Sequence, residues 1–319
     1  MNPGRLAIAA MGATLMHTAW AGSTLKHEEG KSLSCVLDGK TLWTLNFTKA
    51  EGKPYFHPLC LADGTVLTWL RPGDHIWHRA LWFSWKFINK LNYWEEDKAG
   101  KSQGLSDIMD VKFDEGKDGT TKIVILLDYH PPDKPAVLKE RREITVTTPD
   151  KDGCYRMDWR MTWTAGAEDA VLDRTPTKAD GGPDWGGYAG LSFRAVKEMT
   201  EYQALDSEGR KNLEGHGQKA RWLDFSGMVP DASGLVDKAT KKAAGVAMFD
   251  HPSNPRHPTP WFVIMSGTFG YCSPAFLFDK AHTIPAGQSL TLFYRVLIHP
   301  GRGDKETLEK EWRDFAALK

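Results

Sequence analysis

The sequence predicts an all-β protein: a large antiparallel β-sandwich closed by a C-terminal helix. Three observations carry this expectation. Short alternating runs rich in β-branched and aromatic residues recur between turn signals along most of the 319-residue chain. No helical periodicity of useful length separates them, which argues against the crossover helices of a parallel sheet. One amphipathic stretch, residues 305–318, stands at the end, with Leu308, Trp312, Phe315 and Leu318 near one face.

Taken in order, residues 1–21 read as a secretory signal. Arg5 gives the positive start, residues 6–16 the apolar stretch, and Ala19-Trp20-Ala21 the cleavage pattern. The apolar stretch falls short of the roughly 20 residues that cross a bilayer, and no later segment could span one. The expectation is an exported protein, periplasmic or extracellular, with residues 22–319 forming one sandwich domain. Residues 32–37 and 41–47 flank Asp38-Gly39, and residues 54–61 and 65–70 flank Asp63-Gly64. Asp-Gly between alternating runs marks a hairpin, because Gly accepts the positive φ of the turn. Further strands are read at 80–88, 111–113, 122–129, 137–147, 155–164, 189–196, 245–249, 261–266 and 290–298. Residues 173–187 and 206–217 read as long connections, a length that commonly carries function.

The 41 basic and 41 acidic side chains balance, so the charge gives no case for a nucleic-acid partner. Export permits disulfides, and Cys35, Cys60, Cys154 and Cys272 allow three pairings. Their wide spacing lacks the C-x-x-C of a zinc or redox site, so they are read as buried small hydrophobes or a single bridge.

Chemistry concentrates in two stretches. Five of the thirteen tryptophans, Trp69, Trp77, Trp82, Trp85 and Trp94, lie within residues 69–94, interleaved with Asp74, His75, His78, Arg79, Asn89, Asn92, Glu95 and Glu96. Arg71-Pro-Gly-Asp begins with turn residues, which puts His75 and His78 on a loop able to bring both imidazoles into one cleft. The second stretch, residues 250–261, holds four prolines that would fix His251, Arg256 and His257 on a stiff loop, or simply finish a sheet edge. His57 and Asp184, the latter beside Trp185-Gly-Gly-Tyr188, are additional candidates.

Flat indole faces beside Arg, Asn, Asp and His suit a carbohydrate, whose apolar ring face stacks while its hydroxyls hydrogen-bond. Imidazole adds a proton donor or acceptor near neutral pH. Packing between sheets is the competing reading for each single Trp. His75, His78, His251 and His257 would supply a metal site if all four converged, but no specific ligand spacing is present and no cofactor is predicted. Glu95-Glu96 are adjacent and point apart if extended, and no G-x-S-x-G elbow occurs.

The run Pro72-Gly-Asp-His-Ile-Trp-His-Arg-Ala-Leu-Trp-Phe83, with Asn89 and Asn92-Tyr-Trp94, resembles the D-H-x-x-H-R-G-L-W-F signature of a secreted bacterial family labelled "methane oxygenase PmoA". The likeness extends from about residue 33 to 318 and includes Phe249-Asp-His-Pro-Ser-Asn-Pro255 and Leu292-Phe-Tyr-Arg295. Ala80 stands where the signature has Gly. The resemblance implies a supersandwich-like architecture similar to galactose mutarotases, and points to Asp74, His75, His78, Arg79 and Trp82 and to Asp250 and His251. Mutarotases use a His acid and a Glu base, yet this chain has no Glu between Glu214 and Glu306.

The sequence-based reading is thus a secreted carbohydrate-active hydrolase or lyase. His78, His75, Arg79, Asp74 and His251 form its catalytic set, and Trp77, Trp82, Trp85, Trp94, Asn89, His57, Asp184, Arg256 and His257 bind the substrate. A non-catalytic glycan-binding module and, from the family label, a metal-dependent oxygenase are the alternatives. The first reading requires the two stretches to face each other across one pocket.

Overall fold

The computed structural model describes residues 23–232 and 240–319; the signal read at residues 1–21 lies outside them. In chain order the strands are β1 (Ser23–Glu28), β2 (Ser32–Leu37), β3 (Lys40–Asn46), β4 (Tyr55–Leu59), β5 (Leu81–Ser84), β6 (Phe87–Ile88), β7 (Leu91–Asn92), β8 (Leu105–Glu115), β9 (Thr121–His130), β10 (Leu138–Val146), β11 (Tyr155–Ala165), β12 (Ala170–Asp173), β13 (Gly190–Arg194), β14 (Thr200–Asp206), β15 (Trp222–Pro230), β16 (Lys241–Asp250), β17 (Trp261–Ser266), β18 (Phe269–Pro274), β19 (His282–Ile284) and β20 (Ser289–Pro300), followed by helix α1 (Lys305–Ala316). They form an eight-stranded sheet in the order β1-β2-β3-β4-β5-β13-β18-β17, a second in the order β14-β15-β16-β20-β11-β10-β9-β8, and a small sheet β19-β12-β6-β7. The all-β antiparallel sandwich with its C-terminal helix is the fold the alternation predicts.

Period-two alternation decides what each face meets. Leu81 and Phe83 of β5, Val263 of β17 and Cys272 of β18 turn into the main core. There they join Trp159, Met161 and Trp163 of β11 and Leu292 and Tyr294 of β20 from the second sheet. The intervening residues face outward. On the first sheet these are Tyr55, Trp82, Phe262 and Tyr271, which form an aromatic cluster of their own. On the second sheet Trp222, Phe249, Phe293 and Leu297 receive Leu308 and Phe315 of α1. Asp304 caps that helix by accepting from Thr307 N at 3.0 Å.

The Asp38-Gly39 hairpin forms between β2 and β3, both turn residues having positive φ (48° and 78°). The second expected hairpin is reduced. Leu61 N donates to Thr65 O, but residues 65–70 make only isolated bridges, Cys60 with Val66, Thr68 with Ala195 and Leu70 with Arg79. The strand read at 80–88 breaks into β5 and β6, which belong to different sheets. All four cysteines are free thiols, and burial pushes Cys35 and Cys60 up to about 12. None of the described helices is long and apolar enough to cross a membrane.

Candidate functional site

A pocket of about 520 Å³ opens over the outer aromatic face of the first sheet, inside the roughly 300–1,000 Å³ range of small-molecule sites. Four segments build it. The loop between β4 and β5 gives His75, Trp77 and His78; the chain after β7 gives Trp94 and Glu95; the loop between β12 and β13 gives Trp185 and Tyr188; and β17 and β18 give Phe262, Ile264, Phe269 and Tyr271.

The histidine loop is held by ion pairs. Arg79, 1% exposed, donates to both oxygens of Glu96 (2.7 and 2.9 Å), to Glu51 Oε2 (3.1 Å) and to the carbonyl of Ile76 (3.0 Å). Lys53 Nζ reaches Glu96 at 2.9 Å, and burial, partly offset by that carboxylate, brings its pKa down to about 8. Asp74 accepts from Arg194 Nη2 (3.0 and 2.8 Å) and lies 3.1 Å from His75 Nδ1. Burial opposes ionisation of Asp74, yet Arg194 and His75 together hold its pKa below the usual value. Arg194 also stacks on Phe269, 3.7 Å from the ring centroid. Ala80 has φ 69°, a left-handed conformation that favours glycine and explains the Gly of the resembling signature.

His78 is 4% exposed and packs among His75, Trp82 and Tyr271, with ring centroids at 4.7, 5.1 and 5.4 Å. Its Nδ1 has no hydrogen-bond partner. Burial, reinforced by His75, Arg194, Lys53 and Arg79, drives its pKa well below the ordinary histidine value, so the imidazole is neutral at pH 7. Glu95 accepts from Tyr188 Oη (2.6 Å), Asn92 Nδ2 (2.5 Å) and Lys86 Nζ. Burial alone would raise its pKa, but these three donors lower it, and it stays a carboxylate. Glu96 turns the other way, to Arg79 and Lys53, so the adjacent acids diverge.

His75, Trp77, His78 and Trp94 share this pocket, while Asp74 and Arg79 brace it. The other predicted residues lie elsewhere. Trp82 is sealed beneath His78 and Trp94, and Trp85 is wholly buried in the main core against Phe83 and Trp163. Asn89 closes the β6–β7 turn, bonding Asp169 O and Val171 N. His57 bonds Thr68 Oγ1, and Asp184 pairs with Lys178 in solvent.

The second stretch is the main correction. His251 packs on Phe293 and Phe315 and bonds Ser253 Oγ at 2.7 Å, while His257 Nδ1 meets Asp250 Oδ2 at 2.7 Å and stacks on Trp312. Both serve the docking of α1 on the outer face of the second sheet, with the main core between them and the pocket. Arg256 caps the carbonyls of Phe276, Lys280 and Ala281. The two stretches therefore do not face each other, so the premise on which the sequence rested its carbohydrate reading fails. Any case for that reading comes from the first stretch and the aromatic face beneath it alone. Among the described residues no three His, Cys, Asp or Glu side chains are grouped to hold a metal ion, so the four-histidine set does not form. The predicted site set omitted Glu95, Trp185, Tyr188, Phe262, Ile264, Phe269 and Tyr271; the tryptophan-rich stretch gave a signal for Glu95 and the Trp185-Gly-Gly-Tyr188 run for Trp185 and Tyr188, while nothing pointed to the four residues of β17 and β18.

The chain is thus an all-β antiparallel sandwich that carries an outward aromatic pocket of small-molecule size. The chain belongs to the family of unknown function DUF6807, whose model matches residues 32–313. An α-galactosidase from Lactobacillus brevis is similar over 90% of this chain at 8% identity and a TM-score of 0.33, and the chain spans 41% of that protein's length. No curated protein matches the chain.

Proposed function

We propose that the pocket holds a neutral sugar ring and that the protein is an exported carbohydrate-active enzyme, a hydrolase rather than a lyase. The observation that supports this is an aromatic-walled cavity containing two imidazoles, one of them buried, neutral and unpartnered at Nδ1. Indole and phenyl faces stack on the apolar side of a pyranose, and Glu95 accepts from its hydroxyls. His78 takes a proton from the attacking water. As the water oxygen bonds to the anomeric carbon and the glycosidic C–O bond breaks, His75, held through Nδ1 by Asp74, gives a proton to the leaving oxygen, and solvent then carries the proton gained by His78 back to His75.

Charge selects among carbohydrate reactions. Elimination from a uronic acid needs a cation on its carboxylate, and no Lys or Arg is among the residues lining the pocket. Arg79, Arg194 and Lys86 are each tied to an acid of the protein. A non-catalytic binding module with the same walls would take up the glycoside and release no reducing ends. Among the described residues no cluster offers an oxygenase metal three ligands.

The test is a panel of neutral glycosides scored for released reducing ends and for binding. His78→Ala should bind the same glycoside while turning it over about 10²–10⁴-fold more slowly. Equal turnover in the folded variant removes the catalytic role, and a panel that neither binds nor reacts removes the carbohydrate reading.

A further inference from the structure

Trp185 is 56% exposed, yet it is one of the walls of the pocket. Its loop is built to present it. Gly182 and Gly186 lie so close to the carbonyl of Pro176 that a Cβ at either would come within 2.0 and 1.8 Å of its oxygen. Gly182 N donates to Thr177 O and Gly187 N to Thr175 O, at 2.8 and 2.9 Å. Asp180 ties Arg174 Nη2 and Thr177 Oγ1, both at 2.8 Å, and Arg174 reaches on to Asp279 O at 3.0 Å. A large indole held in water by a braced loop has an unused face beside the mouth of an aromatic cavity. Its one ring neighbour within the loop is Tyr188, centroid to centroid 6.2 Å.

We infer that Trp185 is the platform for a second sugar ring, next to the one the pocket encloses, so that the substrate is an oligosaccharide or glycoside bound by one end rather than a free monosaccharide. This rests on the carbohydrate reading of the same pocket. The inner ring is surrounded by Trp94, Tyr188 and Tyr271, whereas the next ring leaves toward solvent, where stacking on a single indole is what the structure offers. Trp185 is then a specificity-determining residue, and it carries none of the proton transfer.

The experiment is calorimetric titration of the full-length His78→Ala protein, taken as the parent so that a disaccharide is bound and not cleaved, and of that parent carrying Trp185→Ala or Trp185→Phe. The probes are glucose, galactose, mannose and xylose, each beside a disaccharide carrying that sugar at its non-reducing end. For the sugar that binds, the disaccharide should bind the parent protein more tightly than the monosaccharide. Trp185→Ala should cut that ratio about three- to tenfold, the range of one aromatic stacking contact, while Trp185→Phe keeps most of it. A ratio unchanged in Trp185→Ala, with near-ultraviolet dichroism of a folded protein, overturns the platform and leaves the carbohydrate reading standing. Failure of every probe to bind the parent protein overturns that reading, and the platform with it.

Discussion

At the scale of a residue, His78 decides most. Its folded pKa lies well below the unfolded value of about 6.5, because burial and four neighbouring cations or imidazoles disfavour the charged ring. The sign follows from proton uptake. Below about pH 6.5 the unfolded chain binds a proton that the folded protein refuses, so stability is lost as pH falls from 7 toward 5, by up to ~1.4 kcal/mol per pH unit for one such group. Urea unfolding at pH 7 and pH 5 should show His78→Gln losing less stability on acidification than the parent protein; parallel losses would contradict the assignment. The same neutrality at pH 7 keeps the ring ready to accept a proton, so the acid limb of turnover should lie below the ordinary histidine range.

At the scale of an element, the loop between β4 and β5 is the unit on which the site depends, and its order comes from beneath. Glu96 gathers Arg79, Lys53 and Arg71, with side chains of Glu96 and Arg79 at 2% and 1% exposure. Removing one partner of a buried pair strands the others, at about 3–5 kcal/mol. Glu96→Gln should therefore lower unfolding free energy by about that amount and raise KM through the freed histidines; a loss under 1 kcal/mol would mean the loop is held by its turns alone. The turn residues at Pro72-Gly73 and the His spacing made this loop legible in the sequence. Long alternating strands such as β9, β10 and β11 were legible for the same local reason. β17 was legible as a strand and β18 was not: alternation separates Phe262 from Val263, but which set meets solvent, and that residues 269–274 return as the paired strand carrying Tyr271, depends on sheet packing that no local pattern encodes. The prolines after β16 misled because a stiff loop serves helix docking as well as it serves a site, and Phe249, Phe293 and Phe315 chose docking.

At the scale of the whole molecule, what fixes one sheet on the other is a polar cluster inside an apolar layer. Glu140 accepts two bonds from Arg142 (2.6 and 3.1 Å) and one from Tyr129 Oη, all three residues being buried on the core side of β9 and β10. Burial drives the Tyr129 phenol well above its usual pKa, so it remains a donor. The guanidinium lies 5.7 Å from the ring centre of Phe83, on β5 of the opposite sheet, and 5.8 Å from Trp159. A hydrocarbon layer tolerates sliding between sheets; a buried guanidinium that must meet its carboxylate and an aromatic face does not. Such a cluster need not add net stability, since its desolvation offsets its Coulomb energy. Glu140→Gln should thus cost about 3–5 kcal/mol by leaving Arg142 charged and half-satisfied, Nη1 being already unpartnered. Replacing all three together, Tyr129→Phe, Glu140→Leu and Arg142→Met, should recover most of that loss in urea unfolding. A triple variant as unstable as the single one would show that the cluster holds the sheets by energy rather than by register, and would move the origin of the pocket's geometry to the outer aromatic face alone.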